Sequence, residues 1–406
     1  MSRKTITPCG DSLTGRAPRG LRLLLILLIL PLLLVAQDVT WGAGEHCSLK
    51  ASAERLSCYE RTLDDIIRSQ GTQQALVALQ QLVEHDQGAQ QQAHPLSHHI
   101  GRFSYTHYNN LGRAFLLCTD AFHSGCYHGV LEAHLSAMPN LTPRDVAEIC
   151  REVKDPVRPV FLQFLCLHGL GHGLVMHFEN DMFTALTYCD GLTTDWDQEN
   201  CYGGVFMQNI NAFNMQGKVG HDHHGGHGGH AVATEPPRKL LDPSDNLYPC
   251  TVVAKKYRRA CYLMQSSAIL ALNGHDFSKT FRACEKAPAE YLKTCIQSVG
   301  RDISGFTLTN AETTKVFCSL ASSPLVGQCL KGAAKDFIAM HADPQRGISL
   351  CRIADDANKK DCYKGVRDFL VDFYPDWEKR KEACRSADAR YRGLCRGEKF
   401  WFLWFY

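Results

Sequence analysis

The sequence carries almost no net charge, few long apolar runs, and no motif for cradling phosphates or transferring acyl groups. Its 406 residues hold 44 Lys plus Arg against 42 Asp plus Glu. Five of those bases and a single acid fall in the first 22 positions, leaving a slightly acidic body of 39 against 41. Proteins hold nucleic acid through a surplus of Lys and Arg on phosphates, so that partner class is excluded. GxSxG, the P-loop, GxGxxG and the CxxCH haem attachment are all missing, which removes the usual sequence grounds for serine hydrolysis, NTP chemistry, dinucleotide binding and c-type haem. Asp190, Asp195, Asp197 and Glu199 lie before Cys201 but lack the Gly and terminal Glu of a calcium-binding hand. The one unbroken apolar run, 23–36, follows Arg16, Arg19 and Arg22. It is shorter than the ~20 residues that span a bilayer comfortably, which predicts a signal peptide. No small-x-small cleavage site follows, with Leu34 before Ala36 and Trp41 before Ala43, so an uncleaved signal anchor with its basic end in the cytoplasm is the alternative. At 45% hydrophobic and 21% charged, the composition is that of a folded chain rather than a disordered or polytopic membrane one.

Cysteine and histidine are what the chain has in quantity, 19 of each. Cysteines in a chain bearing a secretory signal read as disulfides. Cys9 precedes the apolar run, and the other 18 form nine successive pairs. These are Cys47 with Cys58, Cys118 with Cys126, Cys150 with Cys166, Cys189 with Cys201, Cys250 with Cys261, Cys284 with Cys295, Cys318 with Cys329, Cys351 with Cys362 and Cys384 with Cys395. Six pairs are 11 residues apart, and the first members of the last five recur every 33 or 34 residues. A fixed period in the thirties marks stacked helical hairpins. The expected fold is therefore all-α: a disulfide-stapled helical-hairpin repeat solenoid of ~33–35-residue units, about ten of them. The first Cys of a unit closes a short helix A, and the second sits early in a longer helix B. One unbroken helix between them would hold the sulfurs ~16 Å apart, so a turn is required. Each pair is expected to staple its own hairpin; pairing across units, such as Cys261 with Cys284, is the alternative.

Asp343-Pro344 and Pro375-Asp376 are expected to open helices A, and Pro288, Pro324 and Asp355-Asp356 to open helices B. Between Cys47 and Cys118 an unstapled unit is expected, its helix B starting near Pro95 with Leu96 in the cysteine position. The organisation predicted is a basic segment 1–22, the apolar segment 23–36, His-bearing repeats 37–217, a flexible His/Gly-rich insertion 218–249 and Cys-stapled repeats 250–406. The aromatic tail 400–406 is expected to continue the last helix B and cap the core. The logic resembles Sel1- and tetratricopeptide-type repeats. The Trp/Gly/Tyr/Ala/Pro signature of the latter is missing, so the resemblance extends to architecture and to no family.

Repeats place equivalent side chains at regular steps along one face. Two residues after the second Cys stand His98 (counted from Leu96), His128 and His168; one helical turn on stand Arg102, Glu132 and His172. Pairs at i,i+4 present two donors from one helix face, and helices packed ~8–10 Å apart let neighbouring imidazoles converge on one ion. The predicted ligands are His98, His128 and His168, joined by His172 or Glu132, with Glu132 also the candidate general acid or base. His99, His107, His134 and His177 would orient those ligands or hold a second ion. Three glycines in the six residues His168–Gly173 cost a helix ~1 kcal/mol each, and a turn there would cancel the i,i+4 argument. His221, His223, His224, His227 and His230 form a Gly-rich loop suited to gathering metal. With the cysteines committed to disulfides, imidazole and carboxylate suit Cu, Zn, Fe or Ni.

Three functions from different classes follow. The first is an extracytoplasmic metal-binding helical-repeat protein, secreted, periplasmic or luminal, with its centre in repeats two to four. The second is a metal-dependent oxidoreductase or hydrolase using the same centre. The third is a metal-independent interaction solenoid with a protein or peptide on its surface. Membrane contact is expected only through the N-terminal segment.

Overall fold

The computed structural model describes residues 47–122, 124–154, 158–216 and 239–398. The expected signal segment 1–36, the histidine loop 221–230 and the aromatic tail 400–406 lie outside the described residues. Within them the chain is helical, with no strand. It opens with α1 (Ser52–Gln70), α2 (Thr72–His85), α3 (Gln87–Gln91) and α4 (Ala93–Tyr108). Short and long helices then alternate: α5 (Leu111–Leu116) and α6 (Gly125–Ser136), α7 (Pro143–Ile149) and α8 (Pro159–His177), α9 (Met182–Cys189) and α10 (Asp195–Gln216). Beyond a turn-rich stretch over 239–254 comes α11 (Lys255–Asn273). It is followed by α12 (Phe277–Cys284) and α13 (Ala289–Phe306), α14 (Ala311–Cys318) and α15 (Val326–His341), α16 (Pro344–Ile353) and α17 (Asp356–Phe373), and α18 (Trp377–Ala383) and α19 (Arg392–Arg396).

The short helices start where a side chain satisfies the orphan N–H groups of the first turn. Asp181, Asp276, Asn310 and Asp376 accept from the N–H three residues on, and Thr142 forms a reciprocal capping box with Asp145. Asp343 caps α16 with Pro344 in its first turn, where proline's missing N–H costs nothing.

Every cysteine pair bonds within its own hairpin. Cys47 bonds Cys58, Cys118 bonds Cys126, Cys150 bonds Cys166 and Cys189 bonds Cys201. Cys250 bonds Cys261, Cys284 bonds Cys295, Cys318 bonds Cys329, Cys351 bonds Cys362 and Cys384 bonds Cys395. Their Cα atoms stand 5.4–5.9 Å apart, and no bond joins Cys261 to Cys284. Cys58, Cys126, Cys166, Cys201, Cys261, Cys295, Cys329 and Cys362 each lie in the first half of a long helix, as the spacing predicts. The placement of several cysteines differs from expectation. Cys118, Cys150 and Cys384 lie just past α5, α7 and α18 rather than closing them, Cys250 follows turns rather than a short helix, and Cys395 sits near the end of the five-residue α19, so the last unit has no long second helix among the described residues.

From α4 to α17 each long helix packs against the long helix of the units before and after it. At several of these crossings glycine lets the backbones meet. A Cβ on Gly129 would stand 1.9 Å from the His98 carbonyl oxygen, and one on Gly204 1.9 Å from that of His168. Five second Cys residues are each followed directly by a buried tyrosine: Tyr59, Tyr127, Tyr202, Tyr262 and Tyr363. The row also curls back on itself. Phe161 and Phe164 of α8 meet Phe373 of α17 edge-on, ring centres 6.0 and 5.3 Å apart, and Trp196 of α10 reaches the same ring at 6.3 Å. By length and composition α8 could cross a bilayer, but 67% of it is buried inside the protein, in keeping with a core helix.

Two expected boundaries are corrected. Residues 239–249 do not belong to a flexible insertion: they bury Leu240, Leu241 and Leu247, and the Asn209 side chain donates to the Leu240 carbonyl at 2.7 Å. The last helix does not run into the aromatic tail. It stops at Arg396, where Gly397 takes the left-handed conformation (φ 77°) that ends helices.

A pH dependence arises on α15. Burial raises the Asp336 carboxyl to about 6, although Ser304 and Arg301 pull it down; Asp302 adds to the rise. The folded state thus holds this proton more tightly than the unfolded chain does. Its stabilising contribution is full below the unfolded value near 4 and is lost as pH rises through 6. Asp336→Asn, which mimics the protonated acid, should stabilise the protein at pH 7.5 by up to about 3 kcal/mol and hardly at pH 4. Thermal melts of the two proteins at both values check this; a variant that loses Tm at pH 7.5 contradicts it.

Candidate metal centre

The helices α4, α6 and α8 are successive neighbours in the row, and each turns histidine toward the next. On α8 the His168-Gly-Leu-Gly-His172-Gly stretch stays helical. Its glycines are buried where α6 and α10 approach: a Cβ on Gly169 would stand 2.7 Å from Leu131 Cδ1, and one on Gly171 2.1 Å from the Cys201 carbonyl oxygen. Tertiary packing therefore outweighs the propensity cost, and His168 and His172 share a face. Five imidazoles result in a row. Ring centres lie 4.5 Å apart for His94 and His98, 5.3 Å for His98 and His128, 4.5 Å for His128 and His172, and 5.0 Å for His172 and His168.

Hydrogen bonds determine which nitrogen of the first pair carries the lone pair. His94 Nδ1 lies 2.7 Å from the Phe122 carbonyl oxygen, and His98 Nδ1 lies 2.7 Å from Glu132 Oε1. Both oxygens only accept, so both Nδ1 atoms donate, and in a neutral imidazole the lone pair then sits on Nε2. The two Nε2 atoms face each other at 3.0 Å. Two lone pairs at that distance repel, and either a metal ion or a proton taken up by one ring relieves the repulsion. Donors about 2.0–2.1 Å from one ion at a tetrahedral angle stand about 3.3 Å from each other, close to the observed spacing. One nitrogen from each of His94, His98 and His128 falls within 4.8 Å of the other two. His128 is buried, and its Nδ1 has no hydrogen-bond partner.

The electrostatics suit ligands. Burial lowers the His128 pKa well below its ordinary value, and the surrounding imidazoles add to this. Burial likewise lowers His168 to about 3, helped by His172 and Arg301, and lowers His172 to about 4 although the Gln208 hydrogen bond pulls upward. These rings are neutral at physiological pH, the form in which histidine binds metal. Glu132 is ionised: burial pushes its carboxyl up, but His98 and Arg102 outweigh this and hold it at about 2. Its Oε2 accepts from Arg102 Nη1 at 2.9 Å, so the carboxylate braces His98 from behind, opposite the Nε2 that faces His94.

The remaining candidates stand apart. His99 Nε2 bonds Asp64 Oδ1 at 2.7 Å, and its ring stacks on Phe103. His107 packs between Phe103 and Tyr108, His134 Nδ1 meets the Tyr105 hydroxyl at 3.1 Å, and His177 lies edge-on to Phe178. His94 is the member that sequence reasoning missed. With helix B begun at Pro95, His94 falls outside it; α4 in fact starts at Ala93 and carries Pro95 in its first turn, where no N–H is needed. The spacing His94-x-x-x-His98, identical to His168-x-x-x-His172, is the signal that finds it. Compared with protein-family models, curated proteins and solved structures, the chain matches none.

Proposed function

We propose that the protein is an extracytoplasmic metal-binding solenoid of stapled helical hairpins, holding a transition-metal ion between His94, His98 and His128. The observation that carries this reading is the pair of Nε2 lone pairs facing each other at 3.0 Å, each fixed by a hydrogen bond at Nδ1. Nine disulfides suit an oxidising compartment outside the cytoplasm, where free thiolates do not compete for metal. A set of imidazoles without thiolate favours Zn, Cu, Fe or Ni over Mg or Ca. Binding is favoured over catalysis by Glu132, because both of its oxygens are engaged by His98 and Arg102, which takes the enzyme reading's acid–base group out of play. The loop 221–230 gathers the ion for the buried centre.

The test uses the full chain with the five loop histidines replaced by Ser, so that the loop contributes no signal. Loaded with Zn(II) or Cu(II) and dialysed, it should retain metal stoichiometrically. His98→Ala with His128→Ala should weaken binding by more than the ~10–100-fold that loss of a supporting group costs, with the helical circular dichroism unchanged. Absence of retained metal in the Ser-loop protein defeats the reading.

A further inference from the structure

The geometry points to a second ion, held between His168 and His172, so that the centre is dinuclear with His128 standing between the two positions. This rests on the metal-binding reading above and extends it to residues outside the first set of three.

The second pair repeats the construction of the first. His172 Nδ1 lies 2.9 Å from Gln208 Oε1, an oxygen that only accepts, so its lone pair also sits on Nε2. The His172 and His168 Nε2 atoms face each other at 3.3 Å. That is about the separation of two ligands on one tetrahedral ion. Both pairs are at i,i+4, each on one of the long helices that flank α6. Each has a nitrogen tethered on its outer side, and each has a polar partner from the next helix along, Glu132 from α6 for His98 and Gln208 from α10 for His172. The nearby cation Arg301 is paired with Asp302 at 2.6 Å, which offsets part of its charge. His128 stacks on His172, ring planes 18° apart, and lies nearly as near His98. Among the described residues His128 converges with the first pair and not with the second, so the position on α8 has only two protein donors. Two binding steps of unequal affinity follow, the weaker one belonging to the pair on α8.

The experiment titrates the Ser-loop full chain with Cu(II) and counts ions by native mass spectrometry, with electron paramagnetic resonance as the second readout. Two ions per chain are expected, their spins coupled at saturation. His168→Ala with His172→Ala should bind one ion, uncoupled, and His94→Ala with His98→Ala should likewise bind one. Gln208→Leu keeps all five imidazoles and releases His172 Nδ1; it should weaken only the second step, by ~10–100-fold, and serves if the double variant does not fold. Saturation at one ion that survives His168→Ala with His172→Ala overturns the second position and leaves the first standing. Two ions persisting in that variant overturn it as well. No ion in the parent protein overturns the metal-binding reading, and this inference with it.

Discussion

Reduction of the nine disulfides is expected to unfold the protein at 37 °C without denaturant. Their loops close over 8 to 16 residues. In the chain-entropy picture a loop of that length stabilises by about 2–3 kcal/mol. Set beside a typical folding free energy of roughly 5–15 kcal/mol, half of the nine are comparable to the whole margin and all nine together exceed it. The local argument agrees. Helices α9, α12 and α14 have eight residues each, well below the ~12–15 at which an isolated helix is even marginal in water. Each is held to its long partner by a cysteine at its C-terminal end. Because each long helix packs mainly on those of the units before and after it, losing a staple weakens both adjoining contacts, so the losses propagate. Far-UV circular dichroism with a phosphine reductant should show most of the helical signal gone. A reduced protein that keeps its helicity and melts within a few degrees of the oxidised one would show that packing alone carries the fold. The single pair Cys284→Ser with Cys295→Ser should lower stability by about 2–3 kcal/mol.

What could be read in advance was whatever repeats along the chain. A disulfide needs its Cα atoms about 4.4–6.8 Å apart, so paired spacings of 11 already demand a turn between two helices. The period of 33 or 34 then orders the hairpins, and His128 and His168 emerge as equivalent positions. What escaped was whatever depends on a boundary or on distant contacts. His94 hinged on where α4 begins, a matter of two residues at a proline. Glu132, read as a ligand or acid–base group, is turned behind His98 by Arg102 from the neighbouring helix, which no local pattern announces. The closure of Phe161 and Phe164 on Phe373 joins residues about two hundred apart, and only the accumulated twist of the row brings them together. The three glycines of α8 were read from propensity as a threat to the helix. They are instead what lets α8 approach its neighbours, because the terms that decide are close contacts, such as that of Gly171 with the Cys201 carbonyl.

That inversion gives the second large effect, at Gly204. A methyl group there would stand 1.9 Å from the carbonyl oxygen of His168, where no side-chain rotation relieves the clash because both partners are helical backbone. Helices α8 and α10 must separate by an ångström or more for Gly204→Ala to be accommodated, and overpacking of this kind costs about 1–3 kcal/mol or more. Gly305, near the end of α13, is the internal control. It has nothing within 4 Å of its would-be Cβ, so Gly305→Ala should be neutral or slightly stabilising. Propensity alone would favour Gly204→Ala, which lies mid-helix, over Gly305→Ala in the last turn of α13, so the reverse ranking reports the close contact. Gly204→Ala carries a second consequence that a purely structural spacer would not. The carbonyl it strikes belongs to His168, and the helix it displaces carries Gln208, which holds His172. Thermal melts should rank Gly204→Ala well below Gly305→Ala, and metal titration of the folded variant should show the weaker binding step lost while the tighter one remains. Equal melting temperatures would mean that the helices have slack at this crossing, and the account of glycine as the contact between units would fall.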